Sequence, residues 1–212
     1  MRFIIVTGMS GAGKSAVVEA LEDVGLYCVD NIPPSLIPKF AHLGLNGQDP
    51  SDNDRVALVV DARGLRGIGG EAFIQQLTGA LAELDREKVS YQILFLDAAT
   101  DELINRYKIT RRPHPLMGKS DSLSRAINQE RELLRQIKER ADMVIDTTLL
   151  SAAQLRSNIH DLFRSNDPDK DDFVVNCISF GFKFGVPVDA DLMFDVRCLP
   201  NPFYDPNLRP MT

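Results

Sequence analysis

Short apolar runs rich in Val, Ile and Leu recur along the chain: Phe3 to Thr7, Tyr27 to Asp30, Val56 to Asp61, Gln92 to Asp97 and Met143 to Asp146. None alternates cleanly between apolar and polar positions. That pattern predicts strands buried on both faces, as in a parallel sheet. Between them lie stretches with helical spacing. Ser15 to Val24 carries Val17, Val18 and Leu21, and Glu71 to Leu84 sets Phe73, Ile74, Leu77, Leu81 and Leu84 on one side. Ser122 to Arg140 is charged over most of its surface, with Leu123, Ile127, Leu133, Leu134 and Ile137 as its apolar stripe. Ser151 to Phe163 opens with an N-cap serine before Ala152. Alternating strands and helices predict an α/β fold, a mainly parallel sheet flanked by helices.

The texture changes after Ser165 to Asp172, an acidic, proline-containing stretch without an apolar residue to pack. We therefore expect a first domain over residues 1–165. Phe173 to Phe180 and Leu192 to Val196 read as two further strands, followed by a proline-rich loop. Two strands cannot bury a core alone. Either this tail packs on the first domain or residues 173–212 begin a second, C-terminal α/β domain whose remainder is missing; the second reading is favoured.

Composition narrows the class. Of the 212 residues, 44% are hydrophobic and 25% charged, which fits a globular protein, and the net charge of −6 argues against a uniformly nucleic-acid-coating surface. No run approaches the roughly 18 apolar residues of a membrane helix, and Met1 to Val6 is too short for a signal peptide. Cys28, Cys177 and Cys198 fit no metal or paired-cysteine spacing and read as reduced, structural thiols. A cytoplasmic protein with no membrane contact is expected.

The chemistry concentrates in Gly8-Met9-Ser10-Gly11-Ala12-Gly13-Lys14-Ser15, which satisfies the phosphate-loop pattern G-x-x-x-x-G-K-[ST] at every fixed position. Glycines let the backbone turn tightly and approach an anion, and the N–H groups converge on it as a nest. A helix N-terminus at Ser15 adds its dipole. Lys14 supplies a positive charge to the β- and γ-phosphates, and the Ser15 hydroxyl is positioned for Mg²⁺. An apolar strand before the motif and an amphipathic helix after it are the setting of a true phosphate loop rather than a plain strand–helix turn.

Partners for that loop are less specific. Asp61 ends a predicted strand and is the first candidate to hold Mg²⁺; Asp61-Ala62-Arg63-Gly64 also has the D-x-x-G spacing GTPases use near the γ-phosphate. A strand-terminal aspartate that merely caps the next loop is the alternative. Asp97 is the second candidate for the metal. Asp30 ends another strand, where it would meet an acceptor hydroxyl in a small-molecule kinase or simply make a turn. Arg106, Arg111 and Arg112, on a helix broken by Pro113 and in the loop after it, suit a phosphate-clamping lid; a solvated basic surface or an RNA-backbone contact explains them equally. His114 reads as a polar contact in that loop, and His42 and His160 as surface or packing residues.

The phosphate loop, Leu21 to Asn31, Thr110-Arg111-Arg112-Pro113-His114-Pro115-Leu116, and Ser179-Phe180-Gly181-Phe182-Lys183 through Phe194-Asp195-Val196-Arg197 together resemble the RapZ-like nucleotide-binding family. Leu199-Pro200-Asn201-Pro202 and Leu208-Arg209-Pro210-Met211-Thr212 carry the most specific part of the likeness. The resemblance implies ATP at Gly8 to Ser15, a GTP-associated stretch at Asp61, Ala62, Arg63 and Gly64, and weak ATPase and GTPase activity with regulation as its purpose. Some relatives are RNase adapters that bind small RNAs, chiefly through a C-terminal domain whose later part carries a Gly-Gly-x-His-Arg-Ser loop. This sequence ends before such a loop, so a small-RNA or regulatory-protein partner, and a homo-oligomeric state, are expectations for the full-length form.

Three functions remain open on the sequence. The first is a regulatory NTPase in which Lys14, Ser15 and Asp61 position ATP or GTP with Mg²⁺ for in-line attack by water. The second is a small-molecule kinase of the shikimate or nucleoside class, using Asp30 and the three arginines. The third is an interaction module whose shape is set by nucleotide occupancy.

Overall fold

In the computed structural model the described residues are 2–45, 55–61, 69–110, 113–117, 122–163 and 192–195. The chain divides into two compact units, Met1–Asn166 and Asp167–Thr212. In the first, strands β1 (Arg2–Gly8), β2 (Tyr27–Val29), β3 (Arg55–Val59), β4 (Tyr91–Asp97) and β5 (Met143–Asp146) alternate with helices α1 (Lys14–Asp23), α2 (Ile37–Leu45), α3 (Gly70–Arg86), α4 (Thr100–Thr110), α5 (Leu123–Glu139) and α6 (Ala152–Phe163). A short 3₁₀ turn, Pro34–Leu36, leads into α2. The fold is α/β with an all-parallel five-stranded sheet in the order β2-β3-β1-β4-β5.

Burial follows position in the sheet. Phe3, Ile4, Ile5 and Val6 in central β1 are buried one after another, because helices cover both faces. Edge strand β5 alternates instead between half-buried and exposed residues. Helix α1 packs on α6, α3 packs against α2 and α5, and α5 packs against α4. Every strand predicted for this unit is present, with ends shifted by no more than two residues. Helix α2 was not anticipated: Pro34 and Pro38 interrupt the reading of its apolar positions, although a proline is tolerated in a helix's first turn.

The caps are local chemistry. Ser122 Oγ accepts from the Arg125 N–H at the start of α5. Before α6, Ser151 Oγ accepts from Gln154 N–H (3.1 Å) while Gln154 Oε1 accepts from Ser151 N–H (2.9 Å), a reciprocal capping box.

In the second unit only Leu192–Asp195 are described, and they are irregular where a strand was expected. A strand exists only through its hydrogen-bonded neighbour, and the run's composition does not supply one. The rest of that expectation, with Phe173 to Phe180, lies outside the described residues.

Candidate functional site

Strand β1 lies between β3 and β4, so the chain feeds connections to both of its sides and a crevice opens beyond its C-terminal end. The loop Met9–Gly13 fills that point. Gly8 has φ +139°, and a Cβ there would stand 2.1 Å from the Leu96 carbonyl oxygen; only glycine lets the end of β1 run so close to β4. Met9 N–H then donates to Leu96 O (2.9 Å) and Ala12 N–H to Met9 O (3.0 Å), which closes the loop. Gly13, at φ +99°, turns the chain into α1.

Lys14 opens α1 and is only 6% exposed. Its Nζ folds back to donate to Gly8 O (2.9 Å) and Met9 O (3.0 Å) and stands 3.9 Å from Asp61 Oδ1. Asp61 follows β3 by two residues; it is buried and lines the same cavity as the loop. That cavity, about 610 Å³, has a polar floor of Ser10, Gly11, Gly13, Lys14 and Ser15. The rest of its described wall is Arg106, Tyr107, Ile109, Thr110, Pro113 and Pro115, together with Asp61. The tertiary fold thus brings together the loop, Asp61 and the helix carrying Arg106. Ala62, Arg63, Gly64, Arg111 and Arg112 lie outside the described residues.

Two candidates stand differently from expectation. Asp97 is not available to a metal: its Oδ1 accepts from Arg131 Nη1 (2.7 Å) and from Ala98 N–H (2.8 Å), and its Oδ2 from Lys138 Nζ (2.7 Å). Burial raises its pKa, but the hydrogen bonds from Lys138 and Arg131 outweigh this and hold the carboxyl below the usual range. Arg106 lines the cavity, yet its guanidinium is largely engaged by protein. Its Nε donates to Glu102 Oε1 (2.8 Å), Nη1 to Gly11 O (3.2 Å) and Thr147 Oγ1 (3.0 Å), and Nη2 to Thr147 O (2.6 Å). It braces the phosphate loop against the loop after β5. Asp30 is exposed beyond edge strand β2, two strands from β1, and does not line the cavity. Burial and nearby Glu22 push the Cys28 thiol up to about 12, consistent with an inert, structural cysteine.

The sequence reading missed Glu130 and underrated His114. Glu130 is fully buried, and its carboxylate accepts from Ser10 N–H (3.1 and 3.2 Å), Ser10 Oγ (2.6 Å) and His114 Nε2 (3.0 Å). Leu116 N–H donates to His114 Nδ1 (3.2 Å), which assigns the ring proton to Nε2. A signal was present: Glu130 completes the spacing of Leu123, Ile127, Leu134 and Ile137, so an acidic residue sits on the buried stripe of α5. Thr147, whose hydroxyl lies 3.0 Å from Ala12 O, had no comparable signal.

Residues 1–167 match the model of the RapZ-like N-terminal domain, and residues 173–212 that of the RapZ C-terminal domain. The chain belongs to the RapZ-like family. Among its relatives are proteins named "Nucleotide-binding protein" from Carboxydothermus hydrogenoformans, 45% identical over 100% of this chain and 70% of that protein, and from Shouchella clausii, 48% identical over 100% of this chain and 69% of that protein. Solved structures similar to this RapZ-like chain include shikimate kinase from Acinetobacter baumannii in complex with shikimate. That match has 19% identity and a TM-score of 0.48, covering 78% of this chain and 94% of the other. Among the described residues, no helix is long and apolar enough to cross a membrane.

Proposed function

We propose that this protein binds ATP or GTP with Mg²⁺ at the loop Gly8 to Ser15 and hydrolyses it slowly, as a regulatory NTPase. The observation that carries the reading is Lys14 Nζ, buried and turned onto the loop's own carbonyls beside Asp61. A cationic group that donates inward to its own loop, at a helix N-terminus, is poised to exchange those acceptors for phosphate oxygens. The family resemblance and the names of the relatives point the same way.

The residues present fit magnesium. The Ser15 hydroxyl and the Asp61 carboxylate are hard oxygen donors on one cavity. Among the described residues no group of three or more His, Cys, Asp or Glu side chains could hold a metal. An ion shared with the phosphates and water is the mode Mg²⁺ favours. When bound, it would offset the charge of the β- and γ-phosphates. The loop's N–H groups and Lys14 orient the triphosphate, and the apolar surface of Tyr107, Ile109, Pro113 and Pro115 suits its organic part. Asp61 is the one carboxylate on the described lining. In this reading a regulatory protein or RNA partner is engaged through the C-terminal domain that begins at residue 173.

The kinase alternative has less support, because Arg106 is engaged by Thr147 and Gly11, and Asp30 is not on the described lining of the cavity. Calorimetry with Mg²⁺ and ATP or GTP, followed by phosphate release without an acceptor, tests the proposal. Lys14→Ala should weaken binding about a hundredfold, the loss of charge-assisted contacts worth about 3 kcal/mol. Binding unchanged by Lys14→Ala would overturn it; ADP formation that requires an added acceptor would favour the kinase.

A further inference from the structure

A carboxylate removed from water is tolerated only when its oxygens are filled by donors. Glu130 lies at 0% exposure on the apolar stripe of α5, a position that Leu would fill if packing were the only demand. Its donors are not scattered. The Ser10 peptide N–H and hydroxyl come from the phosphate loop, and His114 Nε2–H comes from the segment whose Pro113 and Pro115 form the cavity wall. His114 is itself held by Leu116 N–H and packs beside Tyr107, with ring centroids 5.2 Å apart.

Because both Glu130 oxygens receive Ser10 N–H, that peptide of the loop is held with its N–H directed at α5. The same carboxylate anchors the floor and the wall of one cavity. We propose that Glu130 is a positioning residue for triphosphate binding, holding the phosphate loop and the Pro113–Pro115 wall in register through the reach of its side chain rather than through its charge. This rests on the nucleotide-binding reading above.

The test separates reach from charge. Glu130→Asp keeps the charge but is one methylene short of bridging Ser10 and His114. Glu130→Gln keeps the reach and an acceptor oxygen but loses the charge. With each variant shown to be folded by its melting curve, Mg²⁺–ATP affinity is measured by calorimetry. Glu130→Asp should bind at least tenfold more weakly than wild type and Glu130→Gln within threefold. A purely structural residue would move the melting temperature without this asymmetry in affinity. If Glu130→Asp binds like wild type, or Glu130→Gln loses as much as Glu130→Asp, the proposal is overturned. Should Glu130→Asp fail to fold, His114→Leu and His114→Gln decide instead: the first removes the donor to Glu130 and should weaken binding about fivefold, whereas the second retains a donor amide and should bind nearly as wild type. Equal affinity for these two would overturn the proposal. Failure of wild type itself to bind, or indifference to Lys14→Ala, would sink the nucleotide reading and is a separate result.

Discussion

Strands β3 and β4 flank the central strand on opposite sides, and each delivers a buried aspartate near its C-terminal end: Asp61 at 6% exposure and Asp97 at 7%. By strand position and burial the two are near equals. Their surroundings are not. Asp61 lines the cavity, paired with Lys14 Nζ at 3.9 Å, whereas Asp97 is gripped by Arg131 and Lys138 of one helix, each at 2.7 Å. Both of those cations lie on α5, two turns apart and so on one face of the helix. A strand-end carboxylate becomes a candidate ligand or a structural anchor according to which helix later packs beside it. Helix α5 also carries Glu130, which accepts from Ser10 of the loop.

The difference can be broken by substitution. Asp97→Ala leaves two cations and the Ala98 N–H without their acceptor. It should lower folding stability by about 2–3 kcal/mol, the lower end for a broken ion pair because Arg131 and Lys138 are 34% and 42% exposed. Urea unfolding reads that loss, and Mg²⁺–ATP affinity should stay as in wild type. Asp61→Asn acts on the site instead, with Mg²⁺-dependent affinity falling about tenfold, about 1.4 kcal/mol. Equal losses of Mg²⁺–ATP affinity in the two variants would erase the distinction.

The smallest effect is in pH. The pKa of Asp97 is lowered in the folded protein, so its contribution to stability is fully present above the unfolded value of about 3.9 and is lost as pH falls through the folded value. The stability gap between wild type and Asp97→Asn should therefore narrow on acidification below about pH 4, read from urea midpoints at successive pH values. A gap that widens there would mean that Asp97 is not held ionised by its partners.

The phosphate loop was legible because its chemistry is contiguous: Gly8, Gly13, Lys14 and Ser15 sit at fixed spacing between a strand and a helix, and each has a local conformational or charge reason. Arg106 was legible as a residue near the loop but not in its bonding, since Gly11 O and Thr147 lie 95 and 41 residues away. Glu130 is 120 residues from Ser10, and only its place on an apolar stripe hinted at it.

What the sequence determined by itself is the alternation of strands and helices, the parallel character of the sheet and the phosphate loop, because hydrophobic period, caps and glycine conformations are local properties of the chain. Only the tertiary structure decided which aspartate faces the cavity, that Arg106 braces the loop, and that Glu130 joins Ser10 to His114. Those outcomes depend on distances across elements far apart in sequence, and a carboxylate's role is set by the donors that packing brings to it.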